Sequence, residues 1–199
     1  MRISKSVILT RPVTYIMPAI AVLLSLSAMS FCSAAAQELS PVARILNHEL
    51  TQLENDLVPL AEAMPEEKYD FAPTEGEFKG VRTFAQQISH TAAAINTASA
   101  AMLKETVPPE LQGSEYGPST LKTNIELVSY LKGAIAHARK AMATLTAANL
   151  TDEVQAWWGK APRLFMADLT IWHSYDHYGQ LVEYVRMNGI VPPASRPKK

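Results

Sequence analysis

The sequence holds a single cysteine, Cys32, and it lies in the first 36 residues, ahead of everything that reads as folded chain. A chain that loses this segment has no disulfide, no thiolate ligand and no cysteine nucleophile. Its chemistry must come from other groups. Basic runs are missing too, apart from the short tail Arg196-Pro197-Lys198-Lys199. Three of the 18 lysines and arginines, namely Arg2, Lys5 and Arg11, sit in the leading segment, so the 19 acidic residues exceed the remaining basic ones by four. That balance speaks against nucleic acid as a partner. No segment shows convincing strand alternation, and there is neither an internal repeat nor a low-complexity tract.

What leads the chain reads as an export signal. Arg2, Lys5 and Arg11 form a positive start with no acidic residue before Glu38, and the stretch from Val13 to Ala36 is apolar. It ends in Ser33-Ala34-Ala35-Ala36-Gln37, with the small residues that a signal peptidase requires. The expectation is a signal peptide over residues 1–36, cleavage after Ala36, and a mature protein that is periplasmic or secreted with no stable membrane insertion. The alternative is an uncleaved anchor, since the apolar run is long enough to span a bilayer. Pro18 and the small-residue end argue against it, and Phe31 directly before Cys32 argues against a lipid anchor. Residues 37–199 have the size of one domain with a sizeable core.

Four segments of this domain carry helical periodicity. Ser40-Pro41 supplies an N-cap and a proline at the first helical position, after which Leu46, Leu50, Leu53, Leu57, Leu60 and Met64 recur at spacings of four and three. Residues 65–80 form a loop that Tyr69 and Phe71 anchor. Thr83 caps a second helix from about Phe84 to Leu103, with Phe84, Ile88, Ile95 and Met102 as core and an alanine-rich remainder that permits close helix approach. Ser119 or Thr120 is expected to open a third, whose stripe is Leu121, Ile125, Val128, Leu131, Ile135, Ala138, Met142 and Leu145. A linker over 147–162 contains Trp157-Trp158-Gly159, and a fourth helix runs from about Leu164 to Met187, ended by Gly189 and Pro192-Pro193. Such stripes can be buried only against one another, so the fold class is an all-α four-helix bundle. Periodicity does not set the order of the helices.

The strongest chemical signal is His173-Ser174-Tyr175-Asp176-His177 on the fourth helix. Side chains four apart lie one above the other, so both imidazoles can converge on one ion. Leu169, Gln180, Leu181 and Tyr184 share their face, which points the pair into the bundle. Two core histidines bonded to polar neighbours remain the alternative. A zinc protease of the H-E-x-x-H type is excluded, because Ser174 stands where the glutamate base belongs. His90 shares its face with Gln86, Ala93, Ala94 and Thr97, where small neighbours leave space for an ion, yet a lone helical histidine is commonly a surface residue. His48 and His137 read as solvent-facing.

At this point the sequence resembles a family. His173-x-x-x-His177 followed by Gly179-Gln180-Leu181, Arg186, Gly189 and Pro192-Pro193 is similar to the C-terminal signature of the DinB superfamily. Phe71-Ala72-Pro73, Val81-Arg82-Thr83-Phe84 and Gln87-Ile88-Ser89-His90 resemble its central stretch. The resemblance spans essentially residues 37–199. It implies a DinB-like four-helix bundle with a three-histidine divalent metal site and selects His90, His173 and His177 over His48 and His137. Tyr178 departs from the basic residue many members carry there. The family's best understood activities use cytoplasmic thiol cofactors such as mycothiol or bacillithiol, whereas this chain opens with an export signal.

Three neutral imidazoles leave a coordination position open, the pattern of a catalytic metal site. A divalent ion there could lower the pKa of water toward about 7, polarise a carbonyl or stabilise a thiolate. Zinc suits three imidazoles best, and nickel, iron or manganese remain compatible. The expected function is therefore a metal-dependent enzyme of hydrolase or thiol-transferase type acting on a small molecule, with a homodimer left open. The alternative is a non-catalytic metal-binding or stress-related protein of the cell envelope. No general base is assigned, because Tyr175 and Asp176 adjoin the ligands only in sequence.

Overall fold

Ser40 opens the first helix, α1 (Pro41–Ala63), by accepting a hydrogen bond from the Ala43 amide (3.1 Å) while Pro41 takes a position that needs no donor. In this computed structural model, which describes residues 38–112 and 114–197, three further long helices follow. They are α2 (Phe84–Leu103), α3 (Asn124–Ala143) and α4 (Arg163–Met187). The expected signal segment 1–36 and the expected cleavage after Ala36 lie outside the described residues. No helix among the described residues is long and apolar enough to cross a membrane.

Reciprocal capping boxes start α2 and α3. Thr83 accepts from the Gln86 amide while Gln86 accepts from the Thr83 amide, and Thr123 and Glu126 repeat the arrangement. The second box corrects the expected start of α3. Glu126 Oε2 accepts from both the Lys122 and Thr123 amides (2.8 and 2.9 Å), which places the helix start after Thr123 and leaves Ser119 and Thr120 in a turn. Ile125 then falls in the first turn and is 76% exposed, and Leu127 is buried beside Val128 and Leu131.

The leucine stripe of α1 is buried along its length together with Phe84, Ile88, Ile95, Leu131, Ile135 and Met142. Each such side chain contributes about 1.5–3 kcal/mol on burial. α1 and α2 each pack on both α3 and α4, while α3 and α4 scarcely meet, so the helices run α1, α3, α2, α4 around the bundle. The segment between α1 and α2 is thus a crossover to the diagonal position. Tyr69 and Phe71 hold it down as expected. The Tyr69 ring packs edge-to-face on Phe84 (5.1 Å) and its hydroxyl donates to the Ala61 carbonyl (2.7 Å), while Phe71 packs on Tyr184 (5.6 Å).

The stretch 147–162 is not wholly irregular. Glu153–Ala156 (β1) and Gly159–Pro162 (β2) pair antiparallel as a short hairpin, with Trp157 and Trp158 at its turn. The alternation spans four residues, with Val154 and Ala156 inward and Glu153 and Gln155 outward, too short a pattern to register beside the helices. Gly159 supplies the turn's positive φ of 135°. The hairpin rests on α2 and α4.

Candidate metal centre

Because α2 and α4 are neighbours, His90 faces His173 and His177. The three offer ring nitrogens that all lie within 4.8 Å of one another, and their ring centroids are 4.6 to 5.2 Å apart. His177 is buried and the other two are half-buried.

The surrounding hydrogen bonds dictate which nitrogen of two rings carries the proton. Asp176, an acceptor only, takes a hydrogen bond from Gln180 Nε2 (3.1 Å), so Gln180 Oε1 points the other way and accepts from Gln87 Nε2 (2.7 Å). That leaves Gln87 Oε1 to accept from His177 Nδ1 (2.5 Å). The proton of His177 therefore resides on Nδ1, and Nε2 presents a lone pair. For His90 the Glu115 backbone carbonyl, again an acceptor only, lies 2.5 Å from Nδ1 and imposes the same tautomer. His173 Nε2 stands 3.2 Å from His90 Nε2, so His173 is the ring able to donate there. Moving its proton to Nδ1 turns all three Nε2 atoms into donors for an ion.

Electrostatics keep the rings uncharged. Burial lowers the pKa of His177 to about 3, with His173, His90 and Arg82 adding smaller repulsions. Burial is also the largest cause lowering His173, followed by His90. For His90 burial again leads, and the bond to the Glu115 carbonyl opposes it. Neutral imidazoles, two of them with Nδ1 held by an acceptor, are the donor chemistry that a divalent metal requires, so the residues present fit such an ion.

The segment after α2 closes one side. Arg82 pairs with Glu115 (2.6 Å) and lies over the Tyr116 ring (5.4 Å), and Ser89 Oγ donates to the Tyr116 carbonyl. A cavity of about 490 Å³ opens beside His90 and His173. Tyr175 and Asp176 are engaged elsewhere, Tyr175 donating to Asp56 Oδ2 (3.3 Å) and Asp176 bonding Gln180. His48 is exposed, as expected. His137 is not simply solvent-facing: it is half-buried, with Nδ1 3.1 Å from Asn96 Oδ1 and Nε2 2.9 Å from Glu105 Oε2. Neither lies in the cluster.

Sequence reasoning assigned no role to Gln87, which is only 2% exposed. Its signal was a polar residue three before His90 on the otherwise apolar face of Phe84 and Ile88. We expect Gln87→Leu, which preserves bulk but leaves His177 Nδ1 and Gln180 unpaired, to lower metal affinity about 10–100-fold with the helical content retained. Competition with a chromophoric chelator measures this, and parental affinity in the variant would remove Gln87 from the site.

A bundle whose two facing helices bring three inward histidines together defines a class of small helical proteins able to hold a metal ion within the core. The chain belongs to the DinB superfamily, whose family model matches residues 49–181. Its fold is similar to that of a DinB-like protein from Bacillus cereus at 15% identity and a TM-score of 0.60, covering 74% of this chain and 93% of that one. A DinB-like protein from Bacillus subtilis is 19% identical with a TM-score of 0.55, covering 73% and 92%. A conserved protein from Enterococcus faecalis is 15% identical with a TM-score of 0.58, covering 73% and 96%. At these identities the likeness establishes the fold. No protein of curated function matches the chain.

Proposed function

We propose that the chain is an exported metal-dependent enzyme of hydrolase or thiol-transferase type, with His90, His173 and His177 as the ligands of one divalent ion, zinc foremost. The observation that carries the enzymatic reading is the cavity of about 490 Å³ beside His90 and His173, a volume suited to a small molecule. A purely structural ion would be expected in a sealed site. When bound, the ion supplies Lewis-acid chemistry at a position the three imidazoles leave free. The chain's own groups orient that position: Gln87 and the Glu115 carbonyl hold two of the rings by their Nδ1 atoms, and α2 and α4 exclude water from the inner side of His177. With no cysteine after residue 32, any thiol in the reaction has to arrive with the substrate.

The test is to express the full chain, isolate it from the cell-envelope fraction, sequence its N-terminus, measure bound metal and screen neutral esters, amides and thiol-transfer pairs. The expected result is a chain beginning at Gln37 with one divalent ion and a turnover that a chelator abolishes. Residues 1–36 still attached would overturn export with cleavage. A stoichiometric ion without turnover on any of these classes would favour the non-catalytic reading, and no bound divalent ion would remove both.

A further inference from the structure

All three tryptophans of the chain are exposed, and two of them border the candidate centre: Trp172 packs edge-to-face on His173 (5.8 Å), and Trp157 lines the cavity from the hairpin turn. Trp157 is 59% exposed, although an indole buries more apolar surface than almost any other side chain when it is given a partner. Its position is nonetheless built. The ring packs edge-to-face on Trp158 (4.4 Å), Trp158 packs on Phe165 of α4 (5.9 Å), and the hairpin ends are tied to the start of α4 by Arg163 N to Asp152 O (2.9 Å) and Leu164 N to Leu150 O (3.0 Å). The indole that lines the cavity is thereby packed against Trp158 of its own hairpin, while more than half of its surface stays exposed.

The remaining walls decide what could occupy it. Ala93, Ala94 and Leu111 are apolar, and Thr97 and Ser114 are uncharged. Among the described residues the one acidic group of the lining, Glu115, is already paired with Arg82, and no lysine or arginine lines the cavity. Away from the imidazoles, an anionic body would find no counter-charge among these walls and a cationic one no free carboxylate.

We infer that Trp157 is the specificity wall of the site, stacking an uncharged, flat apolar group of aryl type while the polar end of the same substrate reaches the imidazoles. The inference rests on the proposed enzymatic reading and names its substrate class. Ala93 and Ala94 contribute only small side chains to the same cavity, and Trp158, packed against Trp157, acts as a positioning residue for it.

The test uses the full chain loaded with zinc and two neutral metal-binding probes, benzohydroxamic acid and acetohydroxamic acid, followed by isothermal titration calorimetry. Benzohydroxamic acid is expected to bind about tenfold or more tighter. Trp157→Ala should bring the ratio close to one by weakening only the aryl probe, and Trp157→Phe should retain most of the preference. Equal affinities in the parent, or a preference that survives Trp157→Ala, would overturn the inference while acetohydroxamic acid binding still reports an intact metal site. If the protein retains no zinc, the enzymatic reading fails. The wall is then read with benzamide, which needs no ion: a calorimetric binding signal that disappears in Trp157→Ala upholds an aryl-binding surface, and the lack of binding to the parent overturns it.

Discussion

Replacing any one of His90, His173 and His177 by alanine is expected to empty the metal site, lowering affinity by about 100-fold or more. Ring nitrogens of all three converge from two helices, and an ion left with two imidazoles loses both a bond and the geometry that two facing helices impose. His48→Ala should leave metal content at the parental level, since that ring is exposed on α1. His137→Ala should also retain the ion, with a modest loss of stability because its bonds to Asn96 and Glu105 disappear. Inductively coupled plasma analysis of the five purified variants measures the contrast. Full metal in His90→Ala alone would mean that α4 holds the ion without α2, and equal behaviour of all five would remove the site.

The second large effect concerns acid. The imidazoles of His90, His173 and His177 are held below the ordinary histidine pKa, His177 at about 3, chiefly by burial. An unfolded chain takes up protons on these groups as pH falls through about 6.5, whereas the folded chain takes them up only at lower pH. Their contribution is therefore neutral above that value and becomes a growing penalty to folding below it. The slope reaches about 1.4 kcal/mol per pH unit for each proton bound only by the unfolded chain. Urea midpoints with a chelator present should fall between about pH 7 and pH 5, and His177→Gln should flatten the fall. Glu105 and Glu126, whose carboxyls are held low by hydrogen bonds to Lys140 and to the Lys122 amide, act in the same direction in a more acidic window. A midpoint constant from pH 7 to pH 5 would show that the three rings titrate as freely as in water.

Much of the fold was legible because a helix writes its buried face into the sequence at spacings of three and four. Leu46 through Met64 and Phe84 through Met102 announce two helices whose caps, Ser40 and Thr83, stand where the chain must supply an acceptor for the first amides. The same logic misplaced the start of α3, since Ser119 and Thr120 also have capping side chains and the choice fell to Glu126 reaching back over Thr123. The hairpin escaped because four residues per strand carry too little alternation to be separated from a loop. Trp157-Trp158-Gly159 looked like a linker for the same reason.

For the candidate site, sequence alone determined that His173 and His177 share one helix face, because the i, i+4 relation is intrinsic to a single helix. The resemblance to the DinB superfamily singled out His90, which spacing could not tell from a surface histidine. Only the tertiary structure decided that α2 stands beside α4, that Gln87, Gln180 and Asp176 orient the His177 ring, that the Glu115 carbonyl orients His90, and that Trp157 reaches the cavity from the hairpin. Apart from the Asp176–Gln180 bond within α4, the hydrogen bonds among them join residues 25 to 93 positions apart in the chain. They follow from how four apolar stripes exclude water together, a property of the packed bundle that no single segment contains.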